Sequence, residues 1–165
     1  MRTGVALATV IALGGVARAD DDDSSSSRGE KGTLGIGIIL GEPTGITAKL
    51  YLKDDQAIQA AAGSAFISGG LSLTADYVFH PLILQSRDSY VLPVYIGPGV
   101  RLIDYTNGRA SSTFAVGARV VAGLLFDFKT VPLDAFVEVG GVLEYDFTKG
   151  FGLGLNAGAG IRYYF

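Results

Sequence analysis

Apolar and polar side chains alternate with a period of two residues along most of the chain beyond Gly32. The alternation is most regular in the last segment, where an apolar row begins at Phe151 and continues at every second position to Phe165. Successive side chains of a β-strand point to opposite faces, so this period predicts strands, and no segment shows a helical period. Turn residues such as Thr106-Asn107-Gly108 separate the segments.

We predict eight strands from this pattern. Their expected ranges are 33–40, 46–53, 57–66, 71–80, 90–103, 112–128, 133–147 and 150–165. The connections between them are short, except for one at 81–89. The predicted fold class is therefore all-β, an eight-stranded antiparallel up-and-down transmembrane β-barrel.

The distribution of charge over the two faces decides which face meets lipid. One face of the eight predicted strands carries no charge, and the other carries four positive and four negative groups. These are Lys49, Asp76, Arg101, Arg119, Glu138, Glu144, Asp146 and Arg162. A charge facing the bilayer midplane costs about 2–4 kcal/mol, so the apolar face is expected outside and the charges inside. An eight-stranded barrel is narrow, and buried charges need partners, so we expect a plugged lumen with a structural salt-bridge network.

Aromatic residues provide an independent test of a membrane barrel. If the chain begins and ends in the periplasm, one group falls at the periplasmic strand ends and another at the outer ends. The first group is Tyr77, Phe79, Tyr90, Phe126, Phe128, Tyr163 and Phe165, and the second is Phe66, Phe114, Tyr145, Phe147 and Phe151. Aromatic rings favour the two membrane interfaces, so two belts are what a bilayer requires.

The beginning of the chain has the pattern of an export signal. Arg2 precedes the apolar stretch 5–16, and Ala17-Arg18-Ala19 fits a cleavage site. Runs of Asp and Ser follow, which cannot form a packed core. We predict a signal peptide at 1–19, a disordered acidic and Ser-rich linker at 20–32, and the barrel at 33–165, located in the cell outer membrane.

Composition argues against catalysis and cofactors. The 165 residues include no Cys and a single His, which leaves no thiolate nucleophile and no metal-ligating cluster. That histidine, His80, is expected inside the barrel at the periplasmic end of the fourth strand, where one imidazole is more often structural than catalytic. The net charge is −3, which disfavours nucleic acid as a partner. We predict no enzyme activity, no cofactor and no metal.

Two short motifs carry a resemblance to known barrels. The ending Tyr163-Tyr164-Phe165 resembles the signal that the outer-membrane assembly machinery recognises, which implies that machinery and outer-membrane lipid as partners, with Tyr163 and Phe165 as the assembly signal. The overall plan is similar to that of small OmpA/OmpX-type barrels. The turn Gly41-Glu42-Pro43-Thr44-Gly45 is the most distinctive local feature, and we expect a tight hairpin with Glu42 exposed.

A narrower resemblance lies in the stretch Gly35–Ile46, in Lys49, in Ala75-Asp76-Tyr77 and in Phe79-His80. These residues look like a small family of uncharacterised outer-membrane β-barrels with relatives among spirochaete surface proteins. The resemblance implies an eight-stranded barrel and, for some surface-exposed relatives, binding of host proteins. The residues themselves favour a non-catalytic barrel with a structural or envelope-interaction role. The alternatives are a barrel that transports or binds a small solute or apolar ligand, and a surface protein that binds a host or envelope partner.

Overall fold

A computed structural model describes residues 32–65, 70–107, 111–147 and 150–165. The predicted signal peptide and residues 20–31 of the predicted linker lie outside the described residues. The strands are β1 (Leu34–Gly41), β2 (Thr44–Lys53), β3 (Gln56–Ser64), β4 (Leu71–Ser86), β5 (Tyr90–Asn107), β6 (Ser111–Phe128), β7 (Leu133–Asp146) and β8 (Gly150–Tyr164). Within the described ranges, no helix is long and apolar enough to cross a membrane.

The eight strands form one closed antiparallel barrel in sequence order, and β1 completes the ring by pairing with β8. The predicted fold class is confirmed. Following the paired residues from Ile38 through each successive strand leads to Phe151 on β8. When the β1–β8 register is extended to the level of Phe151, the stagger around the ring is about ten residues, which corresponds to a strand tilt of roughly 40° to the barrel axis. We call the end where β1 begins and β8 ends the terminal end, and the other the opposite end.

The connection between β4 and β5 is shorter than the sequence predicts. The expected loop 81–89 is wrong, because β4 continues to Ser86 and only residues 87–89 remain between the strands. The pattern hides this continuation, since Leu82–Leu84 are consecutive apolar residues without alternation. Two register shifts against β5 accommodate them, as β-bulges do when one strand contributes an extra residue.

The outward face of the barrel is a continuous apolar surface. Large side chains such as Ile46 (66% exposed), Val120 (59%) and Val139 (52%) lie on it around the ring. A closed sheet has no other core to bury them against, so this surface needs an apolar surrounding. The longer β5 adds Asp104 to the outward row beside Phe114, at the opposite end of the wall.

The outward aromatic residues gather at the two ends of the wall. Ring contacts join Tyr77 with Phe79, Tyr90 with Phe126 and Tyr163 with Phe165 at the terminal end. At the opposite end they join Phe114 with Phe147, and Tyr145 with Phe147 and Phe151. Phe66 lies outside the described residues. We call these groups the terminal belt and the opposite belt.

The seam between β1 and β8 depends on a glycine. A Cβ atom at Gly37 would lie 1.8 Å from the carbonyl oxygen of Ile161 on β8, too close for any side chain. The outward-facing Gly141 of β7 is a matched contrast, since a Cβ there meets nothing within 4 Å. Ring closure therefore constrains one glycine and leaves the other free.

We expect Gly37→Ala to lower the free energy of unfolding by about 1–3 kcal/mol, because the added methyl group forces the closing strands apart. Gly141→Ala should be neutral or stabilising by up to ~1 kcal/mol. Urea unfolding of both variants in detergent micelles measures the difference. Equal stabilities for the two variants would contradict the described packing of the seam.

Candidate functional site

The interior of the barrel is the candidate functional site. Charged side chains lie in three groups along its axis, which we call the terminal, central and opposite groups. Lys49, Arg101, Arg119 and Arg162 supply the positive charges and are all at most 3% exposed. The alternation of each strand brings these residues inward, since their neighbours in sequence belong to the apolar outer wall.

The terminal group is built around Arg162 of β8. Its Nε atom donates a hydrogen bond of 3.0 Å to Oδ1 of Asp134 on β7, and both side chains are completely buried. The hydroxyl of Tyr164 donates to the other carboxylate oxygen of Asp134. The guanidinium also lies 4.0 Å from the ring centroid of Phe136, a cation–π contact. Asp134 thus accepts hydrogen bonds from two side chains of β8 and neutralises the arginine.

Lys49 of β2 lies beside this group. Its Nζ atom is 2.9 Å from Nε2 of His80 and close to the ring centroids of Tyr51 (4.9 Å) and Tyr95 (4.8 Å). The other ring nitrogen of His80 lies 3.2 Å from the backbone oxygen of Asp55. The histidine therefore has a polar contact on each side, which is the arrangement of a structural imidazole rather than of a base directed at a substrate.

The central group joins five strands, β3 to β7, across the lumen. The Nη2 atom of Arg119 donates to Oε1 of Glu138 at 2.7 Å, and its Nε atom is 3.6 Å from Oδ1 of Asp76. The amide of Gln59 donates to both acids, at 3.0 Å and 3.2 Å respectively. The hydroxyl of Tyr95 donates a further bond of 2.8 Å to Glu138. One arginine thus links two carboxylates that would otherwise repel each other.

The opposite group places Arg101 of β5 between two acids. Its Nη1 atom donates to Glu144 at 2.7 Å, and its Nη2 atom donates to Glu42 at 2.9 Å. Ser72 accepts from its Nε atom at 3.3 Å, and the hydroxyl of Tyr105 donates to Glu144 at 2.9 Å. Every nitrogen of the guanidinium therefore has a partner, as a buried arginine requires.

Glu42 corrects a prediction. The sequence indicates an exposed turn residue, yet Glu42 is only 4% exposed and its neighbour Pro43 is buried as well. The hairpin is tight as expected, with a positive φ of 135° at Gly41, and Thr44 bonds back to Gly41 through its hydroxyl. The turn folds inward because the carboxylate of Glu42 can then reach Arg101 on the far side of the barrel.

An apolar cluster fills much of the interior between the charges. Its members are Ile39, Ala57, Ala61, Val78, Tyr95, Val121, Leu125 and Phe136. Sequence alternation points to a polar interior and does not identify this cluster. The described interior therefore combines apolar packing with charge pairs, and its polar residues are not its whole lining.

Six of the eight predicted interior charges thus fall into the three groups. Lys49 lies beside the terminal group, and Asp146 lies partly exposed near the opposite end of β7. Sequence analysis omits Glu42 and Asp134. The signal for Asp134 is present, because it occupies the same alternate row of β7 as Glu138 and Glu144. No periodic signal exists for Glu42, since a turn does not fix the direction of its side chains.

Among the described residues, no group of three or more His, Asp or Glu side chains is arranged to hold a metal ion.

Some buried polar atoms in this part of the chain lack a hydrogen-bond partner. Most of them belong to the central group and to its neighbour Asn156, whose side-chain oxygen and nitrogen both lack a partner. Buried polar atoms of this kind are commonly satisfied by ordered water. The site is therefore suited to binding water and stabilising charge pairs.

Comparison with known proteins supports the architecture. No protein-family model matches the chain, and no curated protein matches its sequence. Among solved structures, the chain is similar to the crystal structure of the N-terminal β-barrel domain of Pseudomonas aeruginosa OprF, with 19% identity and a TM-score of 0.52. The similarity covers 80% of this chain and 94% of that one. At this identity the likeness concerns the fold, and it agrees with the predicted OmpA/OmpX-type plan.

We expect Asp134→Ala to lower the free energy of unfolding by about 3–5 kcal/mol, because it leaves the buried guanidinium of Arg162 without its counter-charge. Asp54→Ala, in the exposed turn between β2 and β3, is the matched control and should stay within ~0.5 kcal/mol of the parent. Urea titration in micelles gives both values. In the double variant with Arg162→Met, part of the stability should return; a double variant less stable than Asp134→Ala would refute the pairing.

Proposed function

We propose that this protein is a non-catalytic outer-membrane β-barrel with a lumen closed by paired charges, and that its role is structural or is an interaction within the envelope. The observation that carries the proposal is the contrast between the outer and the inner surface of the barrel. The outside is apolar between two aromatic belts, whereas the inside holds buried arginines with carboxylate partners on other strands. A soluble barrel needs the reverse arrangement.

The three charged groups and the apolar cluster support a closed lumen. The central and opposite groups cross the axis, as in the contact between Glu42, which follows β1, and Arg101 on β5. Opening a path for ions would require separating these pairs at low local dielectric, which is strongly unfavourable. Steady diffusion of solutes is therefore not the expected activity.

The belts also support an orientation. In the proposed orientation the terminal end faces the periplasm and the opposite end faces outward. Outer-membrane lipid is then the partner of the whole outward surface. Fractionation of expressing cells, with a gel that compares heated and unheated samples, tests the location. Recovery of the protein in the soluble periplasmic fraction would contradict the proposal.

Transport is the second candidate function. The space near Gly152 and Gly154, where a Cβ meets nothing within 4 Å, favours binding of a small or apolar molecule at the opposite end.

Host binding rests on the resemblance to spirochaete surface proteins alone and stays a prediction. The connections at the opposite end are short, which offers little surface to an external partner.

The reconstituted protein should give no steady single-channel openings in a planar bilayer, because the charge pairs close the axis. The double variant Arg119→Ala/Glu138→Ala removes both members of a central pair, leaves Asp76 without its arginine, and should give more frequent brief openings. The control Lys53→Ala/Asp54→Ala removes one charge of each sign from an exposed turn and should behave like the parent. Uniform, long-lived openings of the parent would contradict a closed lumen.

Phe165→Ala should reduce insertion of the barrel into the outer membrane of cells several-fold, because it removes the terminal aromatic of the proposed assembly signal. Folding of the purified variant in micelles should be nearly unchanged, since this side chain is 71% exposed and contributes little to the core. Phe151→Ala, an equally exposed aromatic at the other end of β8 (78%), is the control. Equal insertion of both variants would argue against the signal.

A further inference from the structure

The wall of the barrel has a step between β1 and β8 at the opposite end. Pairing of the two strands ends at Gly41 and Gly158, and the backbone N–H of Glu42 donates one more bond, of 2.9 Å, to the carbonyl of Ala157. β8 nevertheless begins at Gly150. Within the described ranges, residues 150–156 of β8 pair with β7 on one side and with no strand on the other.

Side-chain exposure reflects this missing neighbour. On β8, Leu153 is 88% exposed and Leu155 is 80% exposed. Outward residues of the adjacent β7 at similar levels are better covered, with Leu143 at 49% and Val139 at 52%. Leu153 and Leu143 are register partners, so the difference between their exposures matches the missing neighbour on the β1 side of β8. Leu155 lies opposite Gly141, which also leaves it uncovered.

The free space on the inner side of β8 changes at the same level along the barrel axis. A Cβ atom at Gly158 would meet the side chain of Ile39, and one at Gly160 would meet Phe136. At Gly152 and Gly154 it would meet nothing within 4 Å. The barrel is filled where β1 is present and open where β1 has ended. The carboxylate of Glu144, across from Gly152 on β7, is turned away toward Arg101.

The uncovered edge lies between the two aromatic belts. Phe151 belongs to the opposite belt, and Leu153 and Leu155 follow it toward the middle of the wall. Because Ala157 directs its carbonyl toward the β1 side, the N–H and C=O groups of Leu155, Leu153 and Phe151 point the same way. Open sheet edges are strongly unfavourable in hydrocarbon unless another group satisfies their hydrogen bonds.

We propose that this step is a lateral opening through which an acyl chain of an outer-leaflet lipid enters the outer part of the barrel and lies along Gly152 and Gly154. Ester, amide or hydroxyl groups near the carbonyl end of such a chain bond to the free backbone groups of β8. The proposal rests on the membrane location proposed above. It leaves the lumen closed, because Glu42 and Arg101 form the floor below the opening.

A second copy of the chain is a poor occupant of this edge. Two barrels inserted in the same direction are related by an axis along the membrane normal, and their β8 strands then tilt in opposite directions. With a tilt of roughly 40° the two strands cross steeply and cannot form a ladder. Membrane lipid, in contrast, is present along the whole outward surface and adapts its shape to the step.

The chain contains no Trp, so single Trp residues report on each position without background. Gly154→Trp and Gly152→Trp probe the open inner side of β8. Tyr105→Trp is the inward control on β5, where the wall is continuous, and Leu153→Trp is the outward reference. Each protein is reconstituted into phosphatidylcholine vesicles with plain or brominated acyl chains, and folding is verified by the shift between heated and unheated samples.

Brominated chains should reduce the fluorescence of Gly154→Trp and Gly152→Trp roughly twofold or more, close to the reduction for Leu153→Trp, because contact with lipid is required for quenching. Tyr105→Trp should be nearly unaffected. Lengthening the β1–β2 hairpin with alternating Thr and Val should return Gly154→Trp to the level of Tyr105→Trp.

Quenching of both glycine-site variants by aqueous iodide and not by brominated lipid would overturn the lateral opening and indicate a water-filled vestibule. If Leu153→Trp also escapes lipid quenching, the membrane location itself fails. The two failures are therefore distinguishable in one experiment.

Discussion

The narrow interior of an eight-stranded ring is the constraint from which most of this structure follows. A ring of this size leaves room for side chains and little else, so an ionised group inside it has almost no water to stabilise it. Arg101, Arg119 and Arg162 each meet a carboxylate from another strand for this reason. The same contacts tie strands together: Arg101 and Glu144 join β5 to β7, and the other two pairs join neighbouring strands.

The same lack of space requires glycine at several inward positions of the described strands. Large interior side chains lie over glycines on neighbouring strands, as Tyr95 does over Gly123 and Phe136 over Gly160. These two glycines provide the volume that a bulky neighbour occupies. Glycines at such positions let bulky side chains pack inside the described barrel.

Alternation along the sequence was enough to predict the number of strands, their order and the direction of most side chains, because one face of every strand meets an apolar surrounding. The prediction is wrong where the two-residue alternation is interrupted. Leu82–Leu84 extend β4 without alternating, and Glu42 lies in a turn, where backbone geometry rather than period directs the side chain inward. The apolar interior cluster was missed because alternation separates the faces but does not reveal how the inner one is filled.

The inward turn of Glu42 and Pro43 has a consequence for surface recognition. This motif is the most distinctive stretch of the sequence, and its position between two strands at the opposite end would suggest an antigenic loop. In the folded barrel the carboxylate is bound to Arg101 and the proline is buried. Antibodies raised against a peptide of this sequence would therefore recognise the unfolded chain and not the intact protein.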